Sequence, residues 1–173
     1  LIRRQAAMAR AVTSGAVIVA LPQAPHPRHA ALEGLSVVLL PVPGADEGMN
    51  ATLRAAFAAL PDKSPAAMLL LGDLPELTAQ DLQAVMHAVD LRSKDLVWRG
   101  ATQDGRPGHP VVFAAALFPE IAKLTGDSGG REVVQAARGL VRLIPLPGLR
   151  ARRDLDTPEE WAAWRSEKTE RQT

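Results

Sequence analysis

Short apolar runs alternate with segments of helical periodicity along the whole chain, and this alternation limits the fold more than any other feature. Strands are predicted at AVIVAL (residues 16–21), SVVLLPV (36–42), AMLLL (67–71), DLVWRG (95–100), PVVF (110–113) and VRLIPL (141–146). Helices are predicted over residues 2–13, 50–60, 78–89, 114–124, 131–137 and 158–170. This order is that of an α/β domain with a mainly parallel sheet, and several strands are apolar on both faces, as when helices cover either side. Two helix starts carry a marker. TAQD and TPEE each place a threonine hydroxyl where it accepts a backbone N–H, with an acid three residues later, and Pro158 suits a first helical position.

A chain of 173 residues is enough for one domain with a real core. Aromatic residues are few, so Ala, Val and Leu must fill that core. The net charge is +1, with only a small basic excess in LRARRD, which argues against a nucleic-acid partner. The absence of cysteine excludes a disulfide frame, a thiolate metal site and a cysteine nucleophile. It leaves the compartment open, with the cytoplasm as the default expectation. Apolar runs fall short of the roughly 18 residues of a spanning helix, so no membrane partner is expected, and no signal-peptide pattern opens the chain. No internal repeat or long linker is visible. PQAPHPRHA (22–30), with two of the four histidines, reads as a solvated loop. The sequence opens without Met and already inside a helical pattern, which raises the expectation of a missing N-terminal segment.

The stretch AAMLLLGDLPELTAQDL poses the functional question, because an apolar strand ends there in Asp73, followed by a proline turn and a helix start. Gly72, Asp73 and Pro75 are suited to a turn. Ligands of open parallel sheets, however, bind beyond the carboxyl ends of strands, where Asp73 falls. A second acidic pair, Asp154 and Asp156 in DLDTPEE, follows the last strand, although Asp156 also suits the cap of the next helix. Two carboxylates brought together repel unless a cation lies between them, and Mg²⁺ suits one or two carboxylates completed by water and phosphate.

LLGDLPELTAQDL, GRPGHPVVF, LTGDSGGR and DLDTPEEW, in this order, resemble the nucleotidyltransferases of molybdenum cofactor maturation, from about residue 16 to residue 164. The resemblance implies a Rossmann-like, three-layer, glycosyltransferase-A-like fold. It implies transfer of a nucleotide from CTP or GTP to molybdopterin with release of pyrophosphate. Asp73 would be the principal Mg²⁺ ligand, and DLDTP would supply a second, Asp156 or alternatively Asp154. GMNATLRAAFAAL resembles the cytidylyltransferase branch, which favours CTP, with Asn50 in place of the usual serine and Ala56 in place of the usual glycine. The family's N-terminal glycine-rich loop, which cradles the triphosphate with backbone N–H groups, an arginine and a lysine, has no counterpart here. The expectation is a single domain over 1–173 whose first strand and loop were cut or omitted. A molybdoenzyme or its chaperone is an implied partner. A GTP-using or sugar-phosphate nucleotidyltransferase, and a non-catalytic cofactor-binding module without the nucleotide loop, remain as alternatives.

The remaining candidates each have two readings. His109 either satisfies a backbone carbonyl or contacts the pterin or its phosphate; Gly105 and Gly108 allow close backbone approach, and Arg106 is either solvated or a phosphate contact. Asp127 either accepts from N–H groups at the start of the helix over 131–137 or meets substrate, and Arg131 is a structural or phosphate-side contact. Arg54 either faces the nucleotide or is an idle surface arginine. Met8, Met68 and Met86 read as core filler, and Trp161 with Trp164 as a packing pair.

Overall fold

The apolar runs become β1 (Ile18–Leu21), β2 (Val38–Pro41), β3 (Ala66–Leu69), β4 (Val97–Ala101), β5 (Pro107–Ala114) and β6 (Val141–Pro145). The helical segments become α1 (Ile2–Val12), α2 (Pro27–Ala30), α3 (Met49–Ala58), α4 (Ala79–His87), α5 (Phe118–Ile121), α6 (Arg131–Ala136) and α7 (Pro158–Glu170). The structure is a computed structural model that describes residues 1–155 and 157–170.

β1 and β2 pair in parallel, and a four-stranded sheet has the order β3-β5-β4-β6. In that sheet β3, β4 and β6 share one direction and β5 alone is reversed, being antiparallel to β3 and β4 while β4 and β6 run parallel. The reversal follows from the connection. Residues 102–106 are too few for a crossover helix, and they close as a hairpin with Thr102 N–H donating to the Arg106 carbonyl at 2.9 Å and Gly105 at φ 85°.

Adjacent residues on the central strands enter opposite layers, as the two-residue period of a strand requires. Trp98 and Val112 pack with Leu74, Leu77, Leu82 and Val85 on one face. Val97, Val111 and Phe113 pack with Leu53, Ile121 and Val133 on the other. Met8 and Met68 belong to the first layer, as expected of core filler. Trp161 and Trp164 form the predicted pair, edge to face with centroids 5.7 Å apart.

Three predictions need correction. Residues 22–30 are not wholly loop: His26 caps the short α2 by accepting the Arg28 N–H at 3.2 Å, and Pro27 opens that helix. The helix over 114–124 is a 3-10 turn, Ala115–Leu117, followed by α5, because Pro119 has no N–H to continue a helix through its position. β5 begins three residues earlier than PVVF, since the hairpin carries pairing back to Pro107.

Between the two sheets lies a cavity of about 1290 Å³, bordered by residues 16–20 on one side and 66–73 on the other, with α1 and α3 contributing to its walls. Among the described residues β1 pairs only with β2 and β3 only with β5, so each keeps one edge free.

Candidate active site

β3 ends at Leu69, and the turn that follows carries partly buried Asp73 at the end of the cavity, with Asp73 Oδ1 out of reach of solvent. Gly72 is exposed and Pro75 buried. The turn is held from several sides. Gln5 Nε2 donates to the Leu74 carbonyl at 2.6 Å and Arg4 Nη2 to the Leu77 carbonyl at 2.6 Å, so α1 fixes the loop's backbone. Thr78 and Asp81 form the expected capping box at the start of α4, with Asp81 N–H to Thr78 Oγ1 at 3.2 Å and Thr78 N–H to Asp81 Oδ2 at 2.9 Å.

The segment 149–155 is drawn to this loop by charges that sequence reasoning missed. Arg150 pairs with Asp81 at 3.4 Å and Arg153 with Glu76 at 3.3 Å, while Trp164 Nε1 donates to Glu76 Oε1 at 3.2 Å. Asp81 is almost wholly buried, so its pair with Arg150 is less screened than a surface pair. On its other side the segment lies against β5, where His109 N–H donates to the Ala151 carbonyl at 2.7 Å. A Cβ on Gly108 would stand 2.1 Å from that carbonyl, so only glycine admits the approach; Gly105, by contrast, has open space around it and serves the hairpin turn. Exposed Asp154 thereby lies near enough to the His109 ring to favour its charged form. Asp156 lies outside the described residues. Among the described residues no cluster of three or more His, Cys, Asp or Glu side chains forms a metal cage.

His109 faces the Leu69 carbonyl, and its Nδ1 is sealed from solvent. Burial, then the Arg99 guanidinium, push its pKa down to about 4, against the weaker opposing effects of Leu69 and Asp154. The ring is therefore neutral near pH 7.

The other candidates have local partners. Asp127 does cap a helix, but α3 rather than α6: its Oδ1 accepts the Met49 N–H. Asn50 is wholly buried and fastens the same loop, donating to the Thr125 carbonyl at 2.7 Å and Ser128 Oγ at 2.9 Å and accepting the Gly130 N–H at 3.1 Å. Arg54 donates to the Leu124 carbonyl at 2.6 Å and pairs with Glu47 at 3.2 Å. Arg106 pairs with Asp104 at 2.9 Å in the hairpin, and Arg131 is exposed at the start of α6. Sequence reasoning also passed over Arg99, although a cation in the middle of the apolar run VWRGA was the available signal.

Helices on both faces of a sheet whose strand end presents a carboxylate loop define a Rossmann-like nucleotidyltransferase fold. The chain belongs to the family of the MobA-like NTP transferase domain, whose model matches residues 1–141. It is similar to a 3-phospho-D-glycerate guanylyltransferase of Phenylobacterium zucineum (strain HLK1), at 39% identity over 136 residues; the match spans 77% of this chain and 59% of the relative's length. The structure of Rv0371c from Mycobacterium tuberculosis H37Rv superposes with a TM-score of 0.76 at 25% identity, covering 94% of this chain and 82% of that one. Its manganese complex superposes at 0.72 and 26% identity, covering 94% and 83%. A CMP:2-keto-3-deoxy-manno-octonic acid synthetase complexed with CTP shares the fold alone, with a TM-score of 0.73 at 12% identity over 98% of this chain and 88% of the other. No helix of the described residues is long and apolar enough to cross a membrane.

Proposed function

We propose that the chain supplies the acceptor and metal side of a nucleotidyltransferase, which moves a nucleotide from a nucleoside triphosphate to the phosphate of a small acceptor. The observation that carries this reading is the convergence beside Asp73: Glu76 in the loop after it and Asp81 in the first turn of α4 hold Arg153 and Arg150 of the segment that bears Asp154. A phosphate oxygen of the acceptor attacks the α-phosphorus; that P–O bond forms, the bond from the α-phosphorus to the bridging oxygen breaks, and pyrophosphate leaves. The nucleophile is already an anion at neutral pH, so positioning and charge neutralisation outweigh general-base catalysis. Neutral His109 accordingly needs no proton-transfer role. Asp73 with Asp154, and with Asp156 on the motif alone, would hold the divalent ion, Mg²⁺ or Mn²⁺; carboxylates are the hard donors such an ion takes, one or two at a time, with phosphate and water completing its shell. When bound, it supplies neutralisation of the phosphates.

The nucleotide's phosphates need a further element. We propose that a strand bearing the family's glycine-rich loop seats between β1 and β3, as the two free edges facing one cavity suggest. At about 1290 Å³ the cavity exceeds the roughly 300–1,000 Å³ of a small-molecule site and suits a chain segment better.

For the acceptor, similarity to a 3-phosphoglycerate guanylyltransferase favours a phosphorylated hydroxy acid, with GTP as the donor. The second reading, CTP and molybdopterin with delivery to a molybdoenzyme or its chaperone, draws on the GMN segment. Asn50, which departs there from the cytidylyltransferase pattern, spends its side chain on the 125–130 loop, and this weakens that segment as a guide to the base. The test is pyrophosphate release by the full-length chain with GTP or CTP and with 3-phosphoglycerate or molybdopterin, with and without Mg²⁺ or Mn²⁺. Metal-dependent release with 3-phosphoglycerate and GTP is the expected result; release only with molybdopterin and CTP supports the second reading, and none with any pair leaves a binding module.

A further inference from the structure

Arg99 sits in β4 between buried Trp98 and buried Gly100, a position where an unpaired guanidinium is costly. Its Nε donates to the Gly108 carbonyl at 3.1 Å, which leaves both Nη groups. Among the described residues it makes no ion pair with a carboxylate, whereas Arg54, Arg92, Arg106, Arg150 and Arg153 each do. A charged side chain that acts on it is another cation, Arg152, whose Nη1 reaches the Pro107 carbonyl at 3.4 Å on the same hairpin. Burial and that neighbour both press Arg99 toward losing its proton, which a bound anion would reverse. The group remains partly exposed, so a solute can reach it.

We infer that Arg99, backed by Arg152 and flanked by His109, is the seat for a carboxylate of the acceptor and so selects phosphorylated acids over phosphate monoesters without one. This rests on the nucleotidyl-transfer reading: the acceptor's phosphate, as nucleophile, is needed at the Asp73 end, so the anion at Arg99 is the acceptor's other charged group. A planar guanidinium whose two Nη groups bond no other side chain or carbonyl among the described residues matches a carboxylate through two parallel hydrogen bonds.

The experiment compares the full-length wild type with Arg99→Met and Arg99→Lys, using 3-phosphoglycerate, glycerol 3-phosphate (phosphate without carboxylate) and D-glycerate (carboxylate without phosphate). Wild type is expected to favour 3-phosphoglycerate over glycerol 3-phosphate, and Arg99→Met to raise KM for 3-phosphoglycerate by about 10- to 100-fold. KM for the nucleotide should stay within about twofold in that variant, the acceptor preference should disappear, and Arg99→Lys should recover part of it. D-glycerate should inhibit wild type competitively against 3-phosphoglycerate and not inhibit Arg99→Met. An unchanged preference in Arg99→Met, or equal losses with both phosphate acceptors, overturns the assignment. If wild type transfers to neither acceptor, the nucleotidyl-transfer reading fails for these substrates, and calorimetric binding of 3-phosphoglycerate decides the seat separately. Binding weakened in Arg99→Met sustains it; no binding, or equal binding, overturns it. Should Arg99→Met fail to fold, Arg99→Lys carries the same comparison.

Discussion

The two sheets make a sharp contrast. In the four-stranded sheet, β4 and β5 are each paired on both edges and β4 is buried except at Arg99. In the two-stranded sheet, β2 exposes Val38 and Leu39, and of β1 only Leu21 is fully buried. The first region carries His109, Arg99 and the anchorage for the 149–155 segment; the second borders an open cavity. The difference teaches that the proposed acceptor and metal side is organised by contacts within these residues, while the side facing the cavity leaves two strand edges unpaired among the described residues.

The largest expected effect tests the organised side. Asp73→Asn in a full-length chain should cut metal-dependent turnover by about 1,000-fold or more, because on the proposed reading it removes the charge that holds the metal ion at the phosphates. The melting temperature should change little; near wild-type turnover would refute the metal assignment. The open side comes next. Amide exchange in residues 18–21 and 66–69 should slow by orders of magnitude when the chain carries an N-terminal strand, with little change in β4, because strand addition supplies missing edge partners. Equal protection with and without such a strand would remove the contrast between the sheets.

Smaller effects refine the join at Ala151. Gly108→Ala places a methyl 2.1 Å from the Ala151 carbonyl, and should cost about 1–3 kcal/mol of stability as residues 149–155 shift away. Chemical denaturation measures the loss, and it should be accompanied by weaker metal binding if Asp154 is a ligand. His109 adds a pH dependence. Its folded pKa near 4 lies below the ordinary value of 6.5, so the unfolded chain binds the extra proton first as pH falls. Its contribution is complete above about pH 6.5 and is lost progressively toward pH 4, amounting to roughly 3 kcal/mol. Arg99 and Asp154 are the charged groups that act on it. His109→Gln should flatten that part of the stability profile; an unchanged slope would show that another group carries it.

Much of this was legible before any coordinates. The Thr78 and Asp81 capping box, the six strands and the position of Asp73 all follow from residues within a few places of one another, because hydrogen bonds and periodicity at that range are local. Asp127 shows the limit. Its nearness in sequence to α6 suggested a cap there, yet it caps α3 from 78 residues away, a pairing that depends on how two loops meet. Asp81 reads from sequence only as the acid of a helix start and Glu76 carries no signal of its own, so nothing local announces that Arg150 and Arg153 lie against them.

The order of strands and helices, the family and the carboxylate at the end of β3 are thus written in the chain itself, since each depends on pattern, spacing and turn chemistry. The reversed direction of β5 is nearly so, because a five-residue connection permits little else. The repulsion of Arg99 by Arg152, the depressed pKa of His109 and the cavity between β1 and β3 belong to the folded molecule alone. They arise where segments distant in sequence set the local dielectric, charge and free space, quantities that do not exist until those segments pack.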